Sequence, residues 1–305
     1  MKHLIYKLKF PGGIHIGSGR LSSAEMTVHA DTLFSAMCIE GLKTYGEEGI
    51  TELVNAVNGG RLLMSDALPY IGDTLYFPKP MCRFKSNDES ADLKKEFKNL
   101  KYIPFDSISA YMSGNINPVE LNNAFSSLGK NELHQKVSLK AEEDNELYSV
   151  GVYRFEENCG LYIIVCVSDE ETEKLFDSIM SSLQYSGIGG KRTSGYGRFS
   201  YSKQDFIMPD MPDGMYMTLS SCMAEDDELE EVLKNASYKL IKRSGFVQSE
   251  TYSDAFLKKH DFYLFDACSV FGEKFDGGVF DVSVGGSHPV YKYAKPVFVR
   301  IGGGV

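Results

Sequence analysis

Over the first two hundred residues the apolar positions change period in a fixed order, and that order leaves the chain few topologies. In MKHLIYKLKF, Leu4, Tyr6, Leu8 and Phe10 alternate with Ile5, Lys7 and Lys9, which predicts a strand from His3 to Phe10. A glycine loop, PGGIHIGSGR, follows. Behind Asp31, whose carboxylate is suited to cap free N–H groups, Leu33, Phe34, Met37, Cys38 and Leu42 recur at helical spacing; a helix is expected from about 32 to 45. RLLMSDALPYIGDTLYFPKP reads as strand, turn and strand, closed by Pro78 and Pro80. YSVGVYRFEENCGLYIIVCV reads as a hairpin about EENCG. Next, DEETEKLFDSIMSSLQYSG sets Leu175, Phe176, Ile179, Met180 and Leu183 on one helical face, with acids in the first turn and Gly187 as the stop. GRFSYSKQDF closes the series as a strand. Strand, helix, strand, strand, helix, strand is the split βαβ, ferredoxin-like order.

Residues 81–146 interrupt that series with a polar, charged stretch, read as an insertion that is helical around 89–100 and 118–128. At 305 residues the chain is long for one core, so two domains are expected, 1–208 and 209–305, divided near Pro209 and Pro212. The second is β-rich, from GMYMTLSSC to GGVFDVSVGGSHPVYKYAKPVFVRI, and reads as a degenerate copy of the first.

A formal charge of −10 argues against a protein that coats nucleic acid by net charge, so any polyanion site has to be local. Three windows hold no acid: 1–24, 186–204 and 282–305. They carry Lys2, Lys7, Lys9 and Arg20; Lys191, Arg192, Arg198 and Lys203; and Lys292, Lys295 and Arg300. Each contains a glycine loop. Glycine lets backbone N–H groups approach a phosphate, and the cations neutralise it. Plain turns with solvated cations are the competing reading. The P-loop fails, because Gly190-Lys191 runs into Arg192 with Tyr185 five residues before Gly190, and neither Gly17-Ser18-Gly19 nor Gly187-Ile188-Gly189 completes GxGxxG. SGYGRFSY echoes the RNA-binding octapeptide in part, with Arg198 where an aromatic belongs. RNA or polyphosphate binding therefore gains over nucleotide catalysis. Tyr196 and Tyr291, beside glycine or proline, are candidates for base stacking. His15, His29 and His288 are the histidines placed for acid–base work, without a visible catalytic constellation around them. No residue pattern calls for a metal or cofactor. Six scattered cysteines without a CxxC pair, no signal peptide and no long apolar run predict a cytoplasmic, membrane-free protein.

GGIHIGSGR, ADTLFSAM and above all GIGGKRTSGYGRF resemble the RAMP proteins of CRISPR systems; with GGSHPVYKYAKPVFVRI added, the chain is similar to the Cas5-group subunit of type III-A effector complexes. The resemblance implies an α+β protein of two tandem ferredoxin-like (RRM-like) domains, the first carrying a thumb-like insertion. It implies a non-catalytic subunit holding the 5′ handle of the CRISPR RNA, with the target RNA duplex near the thumb. A Cas10-type large subunit and a Cas7-type backbone subunit would be its partners. The RNA-binding set would be His15, Gly17, Ser18 and Arg20 from the first loop; Gly189, Gly190, Lys191, Arg192, Thr193, Ser194, Tyr196 and Arg198 from the second; and His288, Tyr291 and Lys292 from the third. HIGSGRLSSAE lacks the aspartate with which related backbone subunits cut target RNA. A Cas6-like, metal-independent endoribonuclease using His15 or His29 is the alternative that shares the fold.

Overall fold

Lys2–Lys9 lies between Cys159–Val167 and Ser200–Asp205 and is antiparallel to both, with Leu8 opposite Leu161 and Lys9 opposite Ser200. The computed structural model describes residues 1–17, 19–82, 91–138, 146–209, 213–249, 251–253 and 255–302. All nine residues of Cys159–Val167 are buried, which demands a neighbour at each edge and cover on both faces. Its other edge is taken by Leu62–Met64 and Leu68–Ile71, two pieces of one run interrupted at Ser65, Asp66 and Ala67. The sheet continues through Thr74–Pro78 to Tyr102–Pro104. The expected connectivity is therefore present, with its strands in the spatial order fourth, first, third, second.

Alternation assigns the two faces. Leu4, Tyr6 and Leu8 join Leu161, Ile163 and Val165 under the helices Ala30–Tyr45 and Glu170–Ser186, against Phe34, Met37, Phe176 and Leu183. Ile5, Tyr162, Ile164 and Cys166 face the other way, onto Ile108 and Tyr111 of the insertion and Met217, Leu219, Val297 and Val299 of the C-terminal unit. The C-terminal residues thus roof the other face of the central sheet.

Two expectations are corrected. Glu146–Phe155 does not pair with Cys159–Val167; it pairs over its whole length with Gly129–Ser138, because the fully buried strand is claimed on both edges by the central sheet. The first helix begins at Ala30, and Asp31 is not its cap: Ala30 N–H donates to Asp66 Oδ1, 2.8 Å away, from the interruption between the two pieces of strand. A further helix, Glu47–Asn58, follows Gly46 and was not anticipated. The insertion is helical at Ala91–Asn99 and Pro118–Phe125, close to the expected positions.

In the C-terminal unit Met215–Thr218 pairs with Phe298–Ile301 on one side and Val270–Phe271 on the other. Leu240–Arg243 pairs with Phe262–Phe265 as a ribbon, extended by a bridge from Phe246 to Lys258. The described helix here, Leu229–Leu233, is one short turn. Among the described residues no helix is long and apolar enough to cross a membrane.

Candidate nucleic-acid interface

Antiparallel pairing brings the first two glycine loops to one end of the sheet. Lys2–Lys9 ends where Ser200–Asp205 and Cys159–Val167 begin, so the loop after the first strand, the loop before the last and the long hairpin share that end. The two loops are stitched by backbone bonds: Gly197 N–H donates to Gly13 O and Gly190 N–H to His15 O, each at 2.9 Å. Ile188 N–H donates to Gly197 O. At Gly197, φ is +76° and a Cβ would stand 2.0 Å from Ile188 O, so only glycine fits.

Lys191 holds the left-handed conformation (φ +56°) without being glycine. It opens a single 3-10 turn, Arg192–Ser194, and the N–H groups of Lys191, Arg192 and Thr193 have no acceptor among the described residues. Consecutive N–H groups after a left-handed residue form a concavity suited to an anion. The Lys191 ammonium lies 4.8 Å from the Tyr148 ring centroid, in an open groove of about 580 Å³ that Leu21, Ser138, Glu146, Leu147 and Tyr148 also line. Thr193, Ser194 and Arg198 are exposed, as are Gly17 and Arg20 of the facing loop; Ser18 lies outside the described residues.

The acid-free windows find acids in space. Lys203 bonds Glu173 and Asp177, Lys2 bonds Glu173, and Lys7 reaches Asp73. Arg20, Lys191, Arg192 and Arg198 form no ion pair among the described residues, so the unspent positive charge collects on the glycine loops.

Other expected residues have different duties. Tyr196 is buried against Val150 and Val152, and its hydroxyl meets His134 Nδ1 at 2.7 Å; it anchors the hairpin and is not open to a base. His15 is buried, with Nδ1 donating to Gly151 O at 2.6 Å. The third glycine turn does not join the other two through any described contact. Its His288 bonds Ser249 Oγ and packs on Tyr252, while Tyr291 packs half-buried beside the first helix's core. Lys292 is 2% exposed and donates to Asp31 Oδ2 at 2.6 Å, so it is a structural ion pair.

That ion pair belongs to a cluster the sequence did not disclose. Arg243, on the C-terminal ribbon, donates from Nε to the Asp31 carboxylate at 3.1 Å and from Nη2 to Thr32 Oγ1 at 2.8 Å. Burial opposes the Asp31 carboxylate, yet Arg243 and then Lys292 override it and hold the pKa well below the usual range. Alongside, His29 Nδ1 donates to Asp66 Oδ2 at 2.7 Å, and Ser221 N–H and Oγ–H donate to Asp66 Oδ1. Burial disfavours the imidazolium, but Asp66 outweighs it and the His29 pKa is raised. Lys259 stands beside Lys292, and burial followed by that neighbouring charge pushes its pKa down to about 8. No local motif marks Arg243 or Lys259; they reach Asp31 from more than two hundred residues away.

Residues 7–200 match the RAMP superfamily, and residues 212–301 match the CRISPR Csm4 C-terminal domain. The CRISPR system Csm4 protein of Mycobacterium tuberculosis (strain ATCC 25618 / H37Rv) is 37% identical over 291 residues, covering 94% of each chain. This chain belongs to the Csm4 family. Csm4 of Streptococcus thermophilus is 32% identical over 317 residues, covering 99% of both. By fold, the chain is similar to one in a crystal structure of the Csm3–Csm4 subcomplex of the type III-A CRISPR-Cas interference complex, with TM-score 0.67, 18% identity and 99% coverage of both. A Csm1–Csm4 cassette with AMPPNP gives TM-score 0.63 at 18% identity and the same coverage. Csm4 proteins are RAMP subunits of type III-A CRISPR complexes, and the glycine loops stitched together here lie within the RAMP match.

Proposed function

We propose that this chain is a non-catalytic subunit that grips the 5′ handle of the CRISPR RNA where its first two glycine loops meet. The observation that carries this is the coincidence of Arg20, Lys191, Arg192 and Arg198, none of them ion-paired among the described residues, with three N–H groups that have no acceptor there. Phosphates are held in this way by charge and backbone together, while sequence-specific contacts go to splayed bases. A site of this kind binds one RNA end although the chain as a whole is acidic.

Solved assemblies of its structural relatives contain Csm3 and Csm1, and we extend those partners to this chain, which would bridge a Cas7-type backbone subunit and a Cas10-type large subunit. The insertion at 81–146, read as the thumb, includes the first strand of the long hairpin, where Leu133 and Val137 are exposed and suited to the guide–target duplex. We divide the chain at 208/209, between the two matched ranges, and read the second unit as a degenerate ferredoxin-like copy. The order Phe298–Ile301, Met215–Thr218, Val270–Phe271, with the ribbon joined through the Ser237–Val270 and Cys222–Phe265 bridges, supports that reading. The six free cysteines accord with a reducing, cytoplasmic setting. At His15 the endoribonuclease alternative loses ground, because that ring is buried and bonded to Gly151 O; His29, whose Nδ1 is held by Asp66 Oδ2, is the histidine on which it still rests.

Changing Lys191 and Arg192 together to Ala is expected to weaken binding of handle RNA roughly tenfold or more and to reduce the slope of log K against log salt by about 1.4, two phosphates' worth. Fluorescence anisotropy across a salt series measures both. An unaltered affinity and slope would remove the glycine loops from the interface.

A further inference from the structure

Around the N-terminus of the first helix the charges do not balance. Arg243 and Lys292 bring two positive charges to the single carboxylate of Asp31, while His29 is balanced by Asp66, and Lys259, whose side chain lies along Gly245 two residues from Arg243, adds a third cation on the same ribbon. Asp31 and Lys292 are nearly inaccessible, at 2% and 3% side-chain exposure, so water does little to screen the excess. Lys259 is only half-buried and makes no ion pair among the described residues. Its backbone is fixed by a bond from its N–H to Gly245 O at 3.0 Å, and its Cε stands 3.8 Å from the Cβ position of that glycine, on the arm of the ribbon that carries Arg243. The positive end of the sixteen-residue first helix adds to the same field. A chain of charge −10 that keeps surplus cations beside one another in partial burial pays for it in stability, unless an anion is bound there.

We infer that Lys259, backed by Lys292 and Arg243, takes a backbone phosphate of the bound RNA at the seam between the two units, as a second grip apart from the glycine loops. This rests on the RNA-binding reading above. Lys292 and Arg243 are locked to Asp31 and supply field, whereas Lys259 supplies the contact. The lowered Lys259 pKa accords with this, since an adjacent phosphate would restore the ordinary one.

The test uses the full chain and three variants, Lys259→Met, Lys259→Arg and the Lys191→Ala/Arg192→Ala pair. For Lys259→Met we expect a roughly three- to tenfold loss of affinity for single-stranded handle RNA and a salt slope lower by about 0.7, with Lys259→Arg close to wild type. The RNA-free Lys259→Met protein should melt at a higher temperature than wild type, a change of opposite sign that a misfolded variant would not give. Normal RNA binding by Lys259→Met, alongside weakened binding by the loop variant, would overturn the second grip and leave the first. Unchanged binding in both variants would sink the RNA reading itself. A third arm titrates inorganic phosphate alone: if it raises the melting temperature of wild type but not of Lys259→Met while RNA affinity ignores Lys259, the site serves a small anion and the inference is wrong.

Discussion

Lys191 is asked to do two things that conflict. Its left-handed backbone favours glycine by about 1 kcal/mol, while its ammonium is wanted for the ligand. Lys191→Gly should therefore stabilise the free protein slightly and weaken RNA binding, whereas Lys191→Ala should weaken binding with no gain in stability; chemical denaturation beside anisotropy separates the two. Lys259 makes a pH prediction with a definite sign. Its folded pKa, about 8, is depressed below the ordinary lysine value by burial and by Lys292, with Arg243 adding and Asp31 opposing. The charged form is thus penalised in the folded state, fully below pH 8, and stability is regained as pH rises from 8 towards the unfolded value near 10.4. The melting-temperature gain from Lys259→Met should accordingly be largest below pH 8 and fade by about pH 10.

Among the elements, the loop Gly187–Gly197 works as a hinge pin between sheet and hairpin. Gly197→Ala is expected to cost about 2–3 kcal/mol, because the left-handed strain adds to a Cβ driven into Ile188 O, and urea unfolding would register it. Tyr196→Phe removes the bond to His134 and should cost about 1 kcal/mol with RNA affinity unchanged; a large binding defect would restore Tyr196 as a stacking residue. The strands and the two main helices of the central sheet were legible because each carries its own period over eight or more residues. The hairpin was misread because YSVGVYRF and CGLYIIVCV are both strand-like and adjacent, and pattern does not say which neighbour a strand selects. The burial of Tyr196 and Lys292 was hidden for a related reason: glycine and cation neighbours mark a loop, but burial is decided by what packs over it. Val150 and Val152 come from one distant segment and Asp31 from another.

At the scale of the molecule, Asp31 and Asp66 tie the first helix to both units. Asp31→Asn would leave Lys292 and Arg243 without a counter-charge and should cost about 3–5 kcal/mol, and adding Lys292→Met should recover much of that loss in a double-mutant cycle. Additive losses would mean that the pair is not coupled. None of this was readable from sequence, since the partners of Asp31 lie 212 and 261 residues along the chain. The central sheet has a similar reach in time. Lys2–Lys9 is made first, yet its neighbours are Cys159–Val167 and Ser200–Asp205. At a synthesis rate of 5–20 residues per second, roughly 10–40 s pass before both have been translated. For most of that interval, until Cys159–Val167 is made, the oldest strand has no native partner, and it keeps one open edge until the last strand follows, so nascent chains of this protein should depend on chaperones until the ribosome has passed the last strand of the sheet.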